Sequence, residues 1–169
     1  ILFPGNFYAP STGGNALDTI SDRMMDSAFR SGYFVCAHTV RPSATAQKSM
    51  VRWYEFTVGS WPSSGTVTRR QSGNIVLADP NSLFMPAISR NGKGGFPLLV
   101  TRCSTTRPAD LYATSHRSTD ALNTMGPLGF LASSGHAPLS PQNRWGDYQS
   151  ITVDPSNASR FWSCGEVLT

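Results

Sequence analysis

Apolar and polar residues alternate in short stretches of this chain, with the two-residue period of half-buried strands. SMVRWYEFTV, residues 49–58, is the clearest case: it alternates and is rich in aromatic and β-branched residues. Upstream, Met24–Phe29 and Tyr33–Val40 flank a Ser31-Gly32 turn and predict a hairpin. Residues 42–47 read as a loop and 59–65 as a turn, and Thr66–Gln71 supplies a further strand. The scheme recurs at Met85–Ser89, Phe96–Cys103, Asp110–Arg117 and Leu128–Ser133, and begins again at Tyr148–Val153 and Arg160–Val167. No segment sustains an i, i+3, i+4 apolar pattern over three turns; residues 119–125 predict one helical turn at most.

Two sets of landmarks set a repeat length. Gly73 follows Gln71-Ser72 and Gly135 follows Ser133-Ser134, a separation of 135 − 73 = 62 residues. Turns begin at Arg30, Arg90 and Asp154, at spacings of 90 − 30 = 60 and 154 − 90 = 64. The expected organisation is an extended segment over residues 1–16, then a repeat region over 17–169 with units at about 22–73, 84–135 and 144–169. The first 16 residues carry too much Pro and Gly to supply a whole strand pair. Four antiparallel strands per unit predict an all-β, β-propeller-like fold of about two and a half blades. The units exceed the ~40–50 residues of an ordinary blade, so their loops must be extended. A β-sandwich is the alternative.

Composition narrows the class. Charged residues are 14% of the chain and hydrophobic residues 39%, which excludes a disordered chain and disfavours a helical bundle. The net charge is +4, but Lys and Arg never form a run of three, so no basic stripe argues for nucleic acid. No apolar run approaches the ~20 residues of a membrane-spanning helix. Cys36, Cys103 and Cys164 show no CxxC spacing and read as buried thiols on strands. The chain opens ILFPGNFYAP, without Met, as a processed product or fragment does.

Five stretches add a resemblance. LDTISDRMM (17–25), AHTV (37–40), VRWYEF (51–56), FMPAIS with its Asn-Gly turn (84–92) and RWGDYQSITVDPSNASRFW (144–162) occur in that order. The set resembles the C-terminal blades of secreted bacterial sialidase-like (BNR/Asp-box-like) β-propeller proteins. The resemblance implies a propeller and a secreted, periplasmic or cell-surface location. The strict Ser-x-Asp-x-Gly-x-x-Trp box is absent, and Phe161-Trp162 continues as Ser163-Cys164-Gly165-Glu166 rather than in the family's manner.

The candidate ligand-binding residues are Arg144, Trp145, Asp147 and Tyr148, with Arg23. Arg pairs carboxylates, Trp stacks on a sugar face and Asp serves as acid or base. The competing reading is structural: Trp145 and Tyr148 buried between units, Asp147 bonded to turn N–H groups, and Asp22-Arg23 forming a cap or inter-unit ion pair. Asp154-Pro155-Ser156-Asn157 reads as a turn, and Asn157-Ala158-Ser159 is a glycosylation sequon in a competent host. His38, His116 and His136 lack metal-ligand spacing, and no cofactor fingerprint is present. Glu55 and Glu166 are the only glutamates, both on expected strands, and no pattern converges Arg23, Arg52, Arg102 and Arg144.

The expected function is therefore an extracytoplasmic binding or structural module, part of a larger chain or assembly, with no catalytic residue assigned. The alternative is a glycan-acting, sialidase-like hydrolase whose active site needs residues outside this chain. The last unit leaves an open sheet edge at Arg160–Val167. A partner protein, or a missing part of the same precursor, is expected to cover it; a glycan is the other candidate partner.

Overall fold

The structure, a computed structural model, describes residues 8–12, 16–78, 80–135 and 144–168. His136 lies outside them. The chain is all-β. A short hairpin pairs β1 (Tyr8–Pro10) with β2 (Ala16–Asp18). A four-stranded antiparallel meander follows: β3 (Met24–Arg30), β4 (Tyr33–Val40), β5 (Met50–Thr57) and β6 (Thr68–Ile75). A second meander comprises β7 (Ser82–Ile88), β8 (Phe96–Ser104), β9 (Arg107–His116) and β10 (Gly129–Ala132). Last come β11 (Ser150–Val153) and β12 (Phe161–Cys164), paired only with each other among the described residues. No described residue belongs to an α-helix, and none forms a helix long and apolar enough to cross a membrane.

Strand parity builds the layers. On β4 and β5, Val35, Ala37, Val51 and Trp53 point toward the second sheet, where Leu83, Ile88, Phe96, Leu98 and Val100 meet them in one buried cluster. The opposite face of the second sheet contributes Phe84, Cys103 and Ala109 to another cluster, with Ala9, Leu17 and Trp145. The second sheet is thus covered on both faces, and every residue of β7 is buried. An apolar run without alternation is what two-sided burial demands.

The two meanders share one register. Phe34 lies opposite Phe56, and Phe96 opposite His116. Second strands are therefore offset by 96 − 34 = 62 residues and third strands by 116 − 56 = 60. Ser27 lies opposite Cys36 and Ile88 opposite Leu98, so first strands are offset by 88 − 27 = 61. The same alignment corrects one landmark. Gly73 pairs with Trp53, whose counterpart Ala113 pairs with Gly129, so Gly73 corresponds to Gly129 and not to Gly135. Gly73 has a packing reason: a Cβ there would stand 2.8 Å from the Trp53 ring. Gly73→Ala is expected to destabilise the fold by ~1–3 kcal/mol, the usual cost of overpacking a core, measured by urea unfolding.

Within the expected extended segment, residues 8–10 form β1, whose partner β2 runs from Ala16 into residues 17–18, and Ala9 and Leu17 each bury completely. Apolar burial outweighs the Pro and Gly around them.

The cysteines split. All three are free. Cys36 and Cys103 are buried, and desolvation pushes their thiols up to about 11 and about 12. Cys164, expected to be buried, is exposed because it ends β12 on that strand's uncovered side. Only Cys164 should be alkylated by iodoacetamide at neutral pH in the native protein, read as a single mass increment; three increments should appear after denaturation.

Candidate functional site

The RWGDY stretch is irregular, with a bend at Asp147, ahead of β11. Gly146 has φ +39°, and its N–H donates to Glu166 Oε2 at 2.9 Å. Trp145 is 2% exposed, inserted among Ala9, Leu17, Phe84, Met85 and Ala109. Its indole face is not offered to a ligand. Tyr148 is 75% exposed, against the expectation of burial. Its parity explains this: Tyr148 stands two and four residues before the exposed Ser150 and Thr152, whereas half-buried Ile151 and Val153 have the inward parity. Asp147 also differs from expectation. Its carboxylate accepts from the Arg144 guanidinium across an exposed bend rather than from backbone N–H groups.

Arg23 is exposed and donates to Ser21 Oγ at 3.2 Å; among the described residues no contact joins it to the RWGDY stretch. Among the described residues it makes no inter-sheet ion pair. Its neighbour Asp22 accepts at the backbone from His38 Nδ1–H at 2.6 Å. Asp26 makes the inter-sheet link instead, accepting from the Ile88 N–H at 2.9 Å. Burial raises the Asp26 carboxyl above its ordinary value, despite the N–H bonds from Ile88 and Ser27.

The Asp154 turn is as expected. Its carboxylate accepts from the Ser156 hydroxyl and N–H at 2.6 and 2.7 Å, and from Trp162 Nε1 at 3.1 Å. These bonds, the Ser156 hydroxyl foremost, hold it below the ordinary value. Asn157 is exposed, and its Oδ1 accepts from the Ser159 N–H at 2.9 Å.

The structure assembles a buried polar cluster between the two meanders that the sequence reading did not pick out. Glu55, on β5, is fully buried. It accepts from Arg70 at 2.5 Å, from Gln71 Nε2 at 2.6 Å and from Arg90 Nε at 3.1 Å. Arg90 is 4% exposed and lies over the Tyr33 ring at 4.3 Å. Gln71 also reaches His116 Nε2 at 3.3 Å, while His116 Nδ1 donates to the Thr124 carbonyl at 2.8 Å. Burial alone would raise the Glu55 carboxyl. The bonds from Gln71, Arg70 and Arg90, with the Arg70 charge, outweigh it and hold Glu55 below its ordinary value. A carboxylate so engaged is held as an anion at neutral pH and cross-links the two sheets. Its signal in the sequence was parity: Glu55 shares the inward face with Val51 and Trp53.

Beside this cluster a cleft of about 880 Å³ opens between the second meander and the β11–β12 turn. Lys93, His116, Arg117, Asp120, Ser159 and Phe161 are among its lining residues. The Asn91 side chain ties the two walls together, donating to the Ala158 carbonyl at 3.0 Å. Asp120 is the single carboxylate among the described lining residues, and it accepts from the Arg117 N–H at 2.7 Å. Usual glycoside hydrolysis needs two carboxyl groups flanking the bond. Lys93 and Arg117 are the cationic residues among the lining. Among the described residues no group of three or more His, Cys, Asp or Glu is placed to hold a metal ion. Comparisons with family models, curated proteins and solved structures find no match.

Proposed function

We propose that this chain is a run of β-propeller blades acting as an extracytoplasmic binding or structural module within a larger chain or assembly. One observation carries the reading: two meanders of common register lie face to face in chain order, with β11 and β12 beginning the same arrangement on the far side of the second. In a two-layer sandwich each sheet buries one face. Here the second sheet buries both, with β7 against β3, β4 and β5 on one side and against β11 on the other, which fits successive blades. The open edge of β12 fits completion by a partner or by another part of the same precursor. The cleft beside Phe161 is the ligand site this reading favours, a glycan being the class suggested by the resemblance.

The test is an experimental structure of the full gene product, with glycan binding and hydrolysis of fluorogenic sialosides measured on the same material. Further four-stranded meanders closing a ring, with binding and no turnover, support the proposal. A closed two-sheet sandwich, or turnover of a sialoside, overturns it.

A further inference from the structure

The two meanders differ in how one equivalent face is covered. On the second sheet, the face holding Phe96, Leu98 and Val100 lies under the first sheet. The counterparts Phe34, Cys36 and His38 point the same way, because Val35 and Ala37, of opposite parity, face the second sheet. Nothing among the described residues lies over the lower half of that face. Phe29 is 61% exposed and Trp61 57%, and with Phe34, Phe56, Val58 and Val67 they line an apolar groove of about 560 Å³. The upper half is closed locally, where buried His38 bonds to the Asp22 carbonyl.

We infer that this aromatic groove seats one further four-stranded meander of the same repeat, an inference that rests on the propeller reading. The intramolecular interface specifies the occupant. There, Trp53 of the covering sheet meets Phe96 at 5.3 Å, Gln71 meets His116, and Glu55 meets Arg90. The first sheet holds Phe34, Phe56 and Phe29 at the places of Phe96, His116 and Arg90. Three aromatics thus replace one aromatic, an imidazole and a guanidinium. A carboxylate or amide at the places of Glu55 and Gln71 would gain no polar partner from these aromatics and keep only bonds within its own sheet, as Glu55 has to Arg70 and Gln71, at a desolvation cost. The occupant's third and fourth strands therefore carry apolar residues there, and a large apolar residue at the place of Trp53. A second copy of this chain does not meet the description. Its own Glu55-bearing face is already covered by its second sheet, and among the described residues the outward face of β11 and β12 is two strands wide.

Photo-cross-linking in the full gene product tests this. p-Benzoylphenylalanine replaces Phe34 in one variant and exposed Phe29 in a second, with Phe96 as control and Leu128, packed on the same core, as a second control if the Phe96 variant does not melt cooperatively. The expected result is control adducts on β5 or its neighbours, and Phe34 and Phe29 adducts on a strand of another meander with the apolar pattern above. Adducts on a second copy, shown by mixing isotopically light and heavy chains, overturn the inference. So do adducts on an unrelated protein, or intact unreacted probe at both positions. In these cases correct control adducts leave the stacked-blade reading standing. Control adducts that miss the first sheet instead sink that reading itself.

Discussion

Glu55→Leu is expected to destabilise the fold by ~3–5 kcal/mol, the cost of removing one partner from a buried ion pair. The loss comes less from the missing bonds than from what stays behind. Arg90 is 4% exposed and would keep its charge with its carboxylate gone, while Gln71 loses its strongest acceptor. Converting Arg90 to Met in the same chain should recover much of that loss, because burying neither charge is often as good as burying both. Urea unfolding of the two single variants and the double variant gives the coupling directly. The pH dependence has a definite sign. The Glu55 carboxyl lies below its ordinary value of 4.5 in the folded protein. Its contribution is therefore fully present above 4.5 and lost as pH falls through the folded value. Asp26 acts in the opposite sense: its raised carboxyl favours the folded state as pH falls from above the folded value toward the ordinary 3.8. Glu55→Gln should flatten the acid limb of stability, and Asp26→Asn should steepen it.

Strand positions from β3 onward were legible because those strands carry a local signal. Tyr33–Val40 was bounded by a Ser-Gly turn and a Pro-containing loop, and it forms as read. Boundaries moved where pairing overrode composition. Thr68–Ile75 runs on to Ile75 because Val51 and Arg52 supply partners for Ile75 and Asn74. The hairpin at residues 8–18 was missed because its stability is tertiary: Ala9 and Leu17 are held by the second sheet and Trp145, which no local pattern reports. The polar cluster was missed for the same reason. Arg90 read as the start of a turn, and only the stacking of one sheet on the next brings it to Glu55, 35 residues away in sequence. Glu55 itself was within reach, because a carboxylate on the same strand face as two large apolar residues must be buried and hence paired. Aromatic density at 144–148 was read as one feature, yet the local backbone sends Trp145 inward and Tyr148 outward.

That division makes the second large effect. Trp145→Ala is expected to cost ~3–5 kcal/mol, as deletion of a buried Trp does, whereas Tyr148→Ala should stay within ~0.5 kcal/mol, as exposed positions do. The reason lies in what Trp145 joins. Its cluster takes Ala9 and Leu17 from the N-terminal hairpin, Phe84, Met85, Cys103 and Ala109 from the second sheet, and partly buried Leu168 from the C-terminal end. Leu168 is itself tethered, its carbonyl accepting from the Gly135 N–H at 2.9 Å. Emptying the indole site should therefore loosen two chain segments distant in sequence. Amide exchange of the Trp145→Ala variant should quicken at Ala9, Leu17 and Leu168 while β4 and β5, in the other cluster, keep their protection. Uniform acceleration across both clusters would instead mean that the two cores melt as one. A Tyr148→Ala variant that keeps full stability but loses glycan binding would return the exposed half of this stretch to the ligand, with Arg144 and Asp147 beside it.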